Sequence, residues 1–314
     1  AFSPDGRRVI VGCADKKARV LEHRDGRWQI VMELDGHEQM VTSVCFSQDG
    51  AQILTSCSHI ASRKRKGSAR LWKADGTLRH VYDEHAAGVV SARFSPDGKR
   101  VITASFDQTV RVWDLQGNEL KRVNQNSEVW GAAFTPDGKG YAATLESGMV
   151  VVRPDWRENR GSHTLETKDY KVAGRPMFTR DGRHLLVACL REGVGYCWDL
   201  ETSEAITFEG HEGWLASLRF SPDEKHVITS GVDKTIRIWN RAGESVELFR
   251  KGTTIDLDLE YSPTGDHIAT AGMDGVLRIW SLGADAVLDL AGRRTTRDFS
   301  PAERERHQEI LSQD

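Results

Sequence analysis

Short runs in which apolar and polar letters alternate, each bounded by turn residues, follow one another along most of this chain. The run VRVWDL at 110–115 is typical of a β-strand with one buried face. Two runs precede it, GVVSARF at 88–94 and KRVITAS at 99–105, and the SPDG between them favours a tight turn, because Pro presets φ and Gly accepts a positive φ. A fourth run, ELKRV at 119–123, completes a predicted unit of four short antiparallel strands.

This unit is repeated along the chain. Near-copies of FSPDG close the first strand of each unit and recur about every 40–45 residues, a period that marks a repeat architecture in which no unit buries its apolar face alone. Four-stranded units arranged in a ring leave only short, protected edges. We therefore predict an all-β fold, a seven-bladed β-propeller of four-stranded antiparallel blades over 1–292. Its repeat aromatics are Phe2, Phe46, Phe94, Phe134, Phe178, Phe220 and Tyr261.

Several units carry a longer common pattern. The letters TASFDQTVRVWDL at 103–115, TSGVDKTIRIWN at 229–240 and TAGMDGVLRIWS at 270–281 resemble the tryptophan–aspartate (WD) repeat, and DGHE at 35–38 and EGHE at 209–212 resemble its Gly-His element. The resemblance extends over nearly the whole chain. It implies a β-propeller that serves as a non-enzymatic scaffold for protein–protein interaction or as a ligand-sensing module.

The WD resemblance also implies a hydrogen-bonded set within each regular unit. A carboxylate would hold a histidine, and a buried hydroxyl would accept the indole N–H. Such a set is similar to a nucleophile–base–orienter triad, but it occurs twice in full and in part elsewhere, which favours packing over a hydrolase. Unit four, with Arg153 at the tryptophan position, is expected to be the least regular. The complete sets are His85, Thr103, Asp107 and Trp113 in unit three, and His211, Thr229, Asp233 and Trp239 in unit six.

Composition narrows the classes of function. With 43 Lys and Arg against 46 Asp and Glu, the formal net charge is −3, which argues against a globally basic nucleic-acid binder. No apolar run approaches the roughly 18 residues of a membrane span. The five cysteines form no CxxC pair and indicate a reducing compartment, which we take as the cytoplasm. We expect no cofactor and no metal; for the acids of DLDLE at 256–260, a solvated or channel-facing strand is favoured over a cation site.

Two segments interrupt the repeat. HIASRKRKG at 59–67 lengthens unit two between its second and third strands. A basic run of this kind binds nucleic acid or an acidic partner, or else it is a solvated loop. The segment 153–175 shields a sheet edge, contacts a partner or is a plain irregular loop. The basic residues of the first segment are Arg63, Lys64, Arg65 and Lys66.

The two ends of the chain fit the repeat in part. Ala1 and Phe2 are the last letters of a strand, so we expect a truncated first blade and a longer parent protein. At the other end, 285–292 contains a predicted outer strand, and the tail at 293–314 contains SPAE at 300–303, which predicts a short helix. The tail resembles the one that closes many bacterial WD-repeat proteins. This implies a bacterial cytoplasmic protein whose propeller is the recognition domain downstream of a signalling or defence effector.

Two positions in each unit are predicted to meet on one face of the ring. One lies six residues before the repeat aromatic, and the other lies one residue before the turn aspartate. Turn positions are normally polar, so apolar residues there predict a recognition patch, or else side chains half-buried in a bulge. With the basic loop at its rim, the patch would bind an apolar peptide with acidic flanks; nucleic acid bound through 63–66 is the alternative. The patch residues are Met40, Phe106, Trp214, Val232, Ile255 and Met273.

Overall fold

The chain forms antiparallel sheets throughout the part that the structure describes. The computed structural model describes residues 1–59, 61–158, 161–167, 174–189, 193–250 and 254–282. The strands of these residues fall into seven sheets, which follow one another along the chain as blades one to seven.

The strands of the first four blades have the following bounds. Blade one contains β1 (Arg8–Gly12), β2 (Ala18–Arg24) and β3 (Arg27–Leu34). Blade two contains β4 (Val41–Phe46), β5 (Gln52–Cys57), β6 (Ala69–Lys73) and β7 (Leu78–Tyr82). Blade three contains β8 (Val89–Phe94), β9 (Arg100–Ser105), β10 (Thr109–Asp114) and β11 (Glu119–Asn124). Blade four contains β12 (Val129–Phe134), β13 (Tyr141–Leu145), β14 (Met149–Arg153) and β15 (His163–Glu166).

The last three blades continue the same order. Blade five contains β16 (Met177–Phe178), β17 (His184–Cys189), β18 (Val194–Asp199) and β19 (Ala205–Phe208). Blade six contains β20 (Leu215–Phe220), β21 (His226–Gly231), β22 (Thr235–Asn240) and β23 (Ser245–Arg250). Blade seven contains β24 (Asp256–Tyr261), β25 (His267–Gly272) and β26 (Leu277–Ser281).

The prediction of an all-β, seven-bladed propeller is confirmed. Within every sheet the strands pair antiparallel in chain order, with the first strand innermost. Blades one and seven have three strands each among the described residues, and a single bridge between Phe2 and Val9 lies beside β1. The predicted outer strand at 285–292 and the tail at 293–314 lie outside the described residues.

The repeated FSPDG letters are explained by the turn after each inner strand. In blade three the Ser95 hydroxyl donates to the Asp97 carboxylate at 2.5 Å, and the amides of Lys99 and Arg100 donate to Asp97 and Ser95 at 3.1 and 2.9 Å. Gly98 completes the turn with φ of 65°, in the left-handed region that favours glycine. The same Ser–Asp bond recurs in other blades. The repeated letters therefore satisfy the polar backbone of a recurring tight turn.

Apolar packing joins each blade to its neighbours. One cluster of buried residues combines Ile102 and Val112 of blade three with Phe134 and Tyr141 of blade four. Further clusters join blade four to blade five and blade five to blade six. Because side chains alternate between the two faces of a strand, each blade can present one apolar face to each neighbour. A blade therefore depends on both neighbours for its core, as expected of a repeat architecture.

That blade four would be the least regular stays a prediction, because residues 159–160 of this blade lie outside the described ranges. Blade four has four strands, and Arg153 takes the place of the missing indole: its guanidinium lies 5.9 Å from the ring centre of Tyr141, and its Nε donates to the Tyr141 hydroxyl at 3.2 Å. Among the described residues, the shortest inner strand is the two-residue β16 of blade five. Pro176 directly precedes β16 and has no N–H to donate to the ladder, which limits that strand.

Candidate protein-interaction face

A β-bulge opens the inner strand at one repeated position. In five blades the pairing of the first two strands skips the residue that lies four positions before the repeat aromatic. A bulge leaves this residue outside the ladder and turns its side chain in a new direction. The bulge residues are Thr42, Val90, Trp130, Ala216 and Leu257.

The two sequence positions predicted to meet are joined by one backbone hydrogen bond in each of the same five blades. The amide of the residue after the second strand donates to the carbonyl of the residue before the inner strand. Together with the bulge residue, each blade thus places three positions side by side on one face of the ring, which we call the loop face. The bonds are Ser58 to Met40 at 3.0 Å, Phe106 to Gly88 at 3.1 Å, Glu146 to Glu128 at 2.9 Å, Val232 to Trp214 at 2.8 Å and Met273 to Ile255 at 2.9 Å.

Blades six and seven expose large apolar side chains on the loop face. Trp214 is 53% exposed, Leu257 55% and Met273 64%, and we call these three residues the apolar patch. Val232 and Ile255, predicted as patch residues, are half-buried beside them. Sequence reasoning missed Leu257, although the bulge position four residues before each repeat aromatic would have identified it.

The loop inserted in blade two covers the loop face of blades three and four. The guanidinium of Arg63 lies 5.3 Å from the ring centre of Phe106 and 5.1 Å from that of Trp130, and the two rings meet edge to face at 5.1 Å. Phe106 is consequently only 5% exposed. Its prediction as part of an exposed patch is wrong, because Arg63 and Trp130 occupy the space above it. Met40, in blade two, is half-buried.

Arg63 is also paired with two carboxylates. It forms ion pairs with Glu128 and, at 3.5 Å, with Glu146. The indole Nε1 of Trp130 donates to Glu146 at 2.5 Å, which fixes this carboxylate beside the ring. We call Phe106, Trp130, Glu128 and Glu146 the aromatic–acidic pocket. Of the predicted basic run, Arg63 is thus engaged within the chain, whereas the remaining members are exposed: Lys64, Arg65 and Lys66.

Glycine and backbone hydrogen bonds hold the inserted loop on the face. The amide of Gly67 donates to the Ala87 carbonyl at 3.1 Å, and the amide of Gly88 donates to the Arg63 carbonyl at 3.3 Å. A Cβ atom on Gly67 would lie 2.1 Å from the carbonyl oxygen of Cys57, so only glycine fits there. These two bonds fix Arg63 and Gly67 of the loop against the segment that leads into blade three.

Ion pairs cross the centre of the ring. Arg175 of blade five donates to the Thr42 carbonyl of blade two and pairs with Asp258 of blade seven at 3.3 Å, which requires its side chain to span the central channel. Arg219 of blade six pairs with Asp258 at 2.9 Å and with Glu260 at 3.3 Å. Burial and the neighbouring arginines lower the pKa of Arg175 to about 10. Asp258 and Glu260 of β24 thus face the channel and neutralise arginines.

The histidine-centred set of blade three is completely enclosed. Trp113 Nε1 donates to Thr103 Oγ1 at 2.9 Å, Thr103 is 2.7 Å from His85 Nε2, and His85 Nδ1 is 2.8 Å from Asp107. This order of donation assigns the neutral Nδ1–H tautomer of His85, and burial lowers the pKa of this histidine. Because Thr103 and His85 have no exposed surface, the hydroxyl cannot attack a substrate from solvent.

The hydrogen-bonded set is complete in blade six and partial in blade two, as their sequences predict. Blade six repeats the arrangement, with His211 at 3.0 Å from Asp233 and Trp239 Nε1 donating to Thr229 at 2.8 Å. In blade two, His37 and Trp72 meet Thr55 at 2.7 and 2.9 Å, and His59, at the aspartate position, instead accepts a bond from the Ser62 amide. Among the described residues, no group of three or more His, Cys, Asp or Glu is placed to hold a metal ion.

The fold, the recurring turn and the buried sets define the class of protein: a WD-repeat β-propeller. A family model described as the IFT122 first beta-propeller matches residues 1–281. The chain therefore belongs to the family that this model describes. In the ranges that the structure describes, no helix is long and apolar enough to cross a membrane.

Curated relatives share the repeat at low identity. The chain is 26% identical over 237 residues to the WD repeat-containing protein 26 homolog of Arabidopsis thaliana, covering 71% of this chain and 38% of that protein. It is 25% identical over 251 residues to the nuclear distribution protein PAC1 of Arthroderma benhamiae, covering 79% and 50%. It is 26% identical over 240 residues to the serine-threonine kinase receptor-associated protein of Gallus gallus, covering 76% and 65%. The chain thus spans less than two thirds of the length of these eukaryotic proteins.

Proposed function

We propose that this propeller is a non-enzymatic recognition module that binds a protein or peptide segment on its loop face, mainly through the apolar patch. The observation that carries the proposal is the joint exposure of Trp214, Leu257 and Met273 in two neighbouring blades. Their inner strands are in direct contact, since Ser217 of β20 donates to Asp258 of β24 at 2.8 Å. Contiguous exposed apolar surface, and Trp and Met in particular, mark interaction sites. The name of the chicken relative, which records association with a receptor, supports a protein-binding role.

We propose an apolar segment with acidic flanks as the occupant. The apolar side chains of such a segment would cover the patch. Lys64, Arg65 and Lys66 are exposed on the loop that lies over the same face, and they offer positive charge to its flanks. Charges at the rim of an interface contribute chiefly to the association rate and its dependence on salt. Affinity should therefore depend on the patch, and the speed of binding on the loop.

A peptide selection with matched variants tests this function. Peptides selected from a random phage-displayed library on the whole chain are synthesised, and their dissociation constants are measured by fluorescence polarisation. Trp214→Ala should weaken binding by at least about 2 kcal/mol, roughly thirtyfold, as interface hot spots do. Leu120→Ala, which removes an exposed leucine from the outer strand of blade three, is the control and should change little. Peptides that bind equally well to Trp214→Ala would show that the patch is not the docking site.

The exposed run 64–66 supports a second candidate, binding of nucleic acid. Contacts to phosphate release counterions, so such binding would weaken steeply as salt increases. Single-stranded and duplex oligonucleotides are titrated at two salt concentrations, with a Lys64→Ala and Lys66→Ala double variant as comparison. Tight, salt-dependent binding that this variant loses would favour nucleic acid over peptide, whereas salt-insensitive binding would exclude the loop as the site.

We propose a bacterial cytoplasmic setting, with the propeller as the sensing domain of a larger signalling or defence protein. The support is the tail sequence at 293–311, which resembles the ends of bacterial WD-repeat proteins. The relatives compared above are from a plant, a fungus and a bird, and they do not supply this setting. The coding sequence upstream of Ala1 tests it: an effector domain there would support the proposal, and another propeller or an unrelated domain would refute it.

A further inference from the structure

The aromatic–acidic pocket has the chemistry of a guanidinium site. It offers the faces of two aromatic rings to one cation and sets two carboxylates around it, at Glu128 and Glu146. A guanidinium is planar, weakly hydrated and always charged, so it stacks on aromatic rings and binds carboxylates at the same time. The group now in the pocket is the side chain of Arg63.

The pocket occupies the positions that form the apolar patch in blades six and seven. Phe106 holds the same repeat position as Met273, and Trp130 holds the same bulge position as Leu257. In blade seven both positions are open to solvent, at Met273 and Leu257. In blades three and four they are covered by a loop that other units of the repeat lack. Arg63 thus covers Phe106 and Trp130 in the way that a side chain of a partner would cover Met273 and Leu257 of the apolar patch.

The walls of the pocket are held by contacts that do not involve Arg63. Phe106 packs against Ala87 and Val90 of its own blade, and Trp130 lies against this cluster. The bond from Trp130 to Glu146 and the backbone bond between Glu146 and Glu128 do not involve the loop. Arg63 itself has 36% of its side chain exposed, so it lies at the mouth of the pocket and can leave without opening the core.

We infer that the aromatic–acidic pocket is a second binding site of the loop face, specific for an arginine side chain of a partner protein, and that Arg63 occupies it as an internal substitute. A partner's arginine must then compete with a tethered one. A short linker gives its ligand an effective concentration of about 1 mM or more. Removing Arg63 therefore exposes the intrinsic affinity of the pocket, whereas the unaltered chain binds the same group much more weakly.

A competition experiment on the whole chain tests the inference. N-acetyl-arginine amide is titrated into the unaltered protein and into Arg63→Ala, and the indole N–H signal of Trp130 is followed by NMR after assignment through Trp130→Phe. We expect the dissociation constant to be at least tenfold lower for Arg63→Ala. The neutral N-acetyl-citrulline amide should leave the signal unchanged, and adding Glu128→Gln to Arg63→Ala should abolish binding.

Two further variants make each result decisive. Arg65→Ala removes an exposed arginine of the same loop and should behave as the unaltered protein. Arg63→Gln keeps a polar side chain that is longer than alanine but carries no charge, and it replaces Arg63→Ala if the alanine variant does not fold. Equal binding to the unaltered and Arg63 variants, or no binding to either Arg63 variant, overturns the inference. Trp214→Ala should not alter binding of the arginine probe, so failure at this pocket and failure of the apolar patch are distinguishable.

Discussion

Replacing Thr103 by Val tests whether the enclosed set of blade three stabilises the propeller through its hydroxyl. Valine keeps the shape of threonine and exchanges the hydroxyl for a methyl group. In the native chain this hydroxyl accepts the Trp113 indole N–H at 2.9 Å and contacts His85 Nε2 at 2.7 Å. The substitution therefore removes two hydrogen bonds and leaves both partners enclosed.

The expected magnitude follows from the burial of those partners. Trp113 and His85 have almost no exposed surface, so water cannot replace the lost bonds. Each buried polar group left without a partner costs about 1–3 kcal/mol. Thr103→Val should lower the free energy of unfolding by about 2–6 kcal/mol. Thr103→Ser retains the hydroxyl and loses one methyl group, which should cost only about 1 kcal/mol.

Urea unfolding at pH 7, followed by tryptophan fluorescence and circular dichroism, measures these differences. Thr164→Val, on the exposed side of β15, is the control and should stay within about 0.5 kcal/mol of the unaltered chain. If the serine variant is as unstable as the valine variant, methyl packing is the stabilising feature and the argument from the hydroxyl fails. An unchanged valine variant would refute it as well.

Two further predictions concern titration and thiol reactivity. Burial lowers the pKa of His37 to about 4, below the value of about 6.5 in the unfolded chain, so the unfolded state binds the proton first. The free energy of unfolding should therefore fall by up to about 3 kcal/mol, on account of His37, as the pH is lowered from 6.5 to 4. In His37→Gln the midpoint of urea unfolding should decrease less over the same pH range. An equally steep decrease in this variant would show that other groups cause the pH dependence. Burial also raises the pKa of Cys189 to about 12 and that of Cys197 to about 11, so neither thiol reacts readily. Maleimide should therefore label the half-buried Cys13 and Cys45 first, as measured by mass spectrometry. Early labelling of Cys189 would contradict the structure.

The fold was predictable because its signals are local. Each SPDG turn is closed by bonds between residues at most five positions apart, and each unit repeats those letters. The members of a buried set lie within one blade, as the 22 positions between His85 and Asp107 show. One unit of sequence therefore specifies the turns and the buried set of its own blade, whereas the apolar core needs the neighbouring units.

The state of the candidate site depends on contacts that the repeat does not encode. Arg63 of the blade-two loop binds Glu128 of blade four, 65 positions away in the sequence. The burial of Phe106 in blade three therefore depends on a loop that belongs to another blade. The channel bond from Arg175 to Thr42 spans 133 positions. A periodic pattern predicts which positions share a face, but it does not predict which of them another segment covers.

The arginine that crosses the channel has a consequence for how the loop face meets a partner. Arg175 holds blade five to blades two and seven, on the far side of the ring. The ring cannot widen or shear without losing these bonds, so the spacing between the apolar patch and the aromatic–acidic pocket is set before any encounter. Nearly all loss of conformational entropy on association then falls on the incoming segment. A segment already constrained to the right span, by a turn or a proline, should gain affinity without a single new contact.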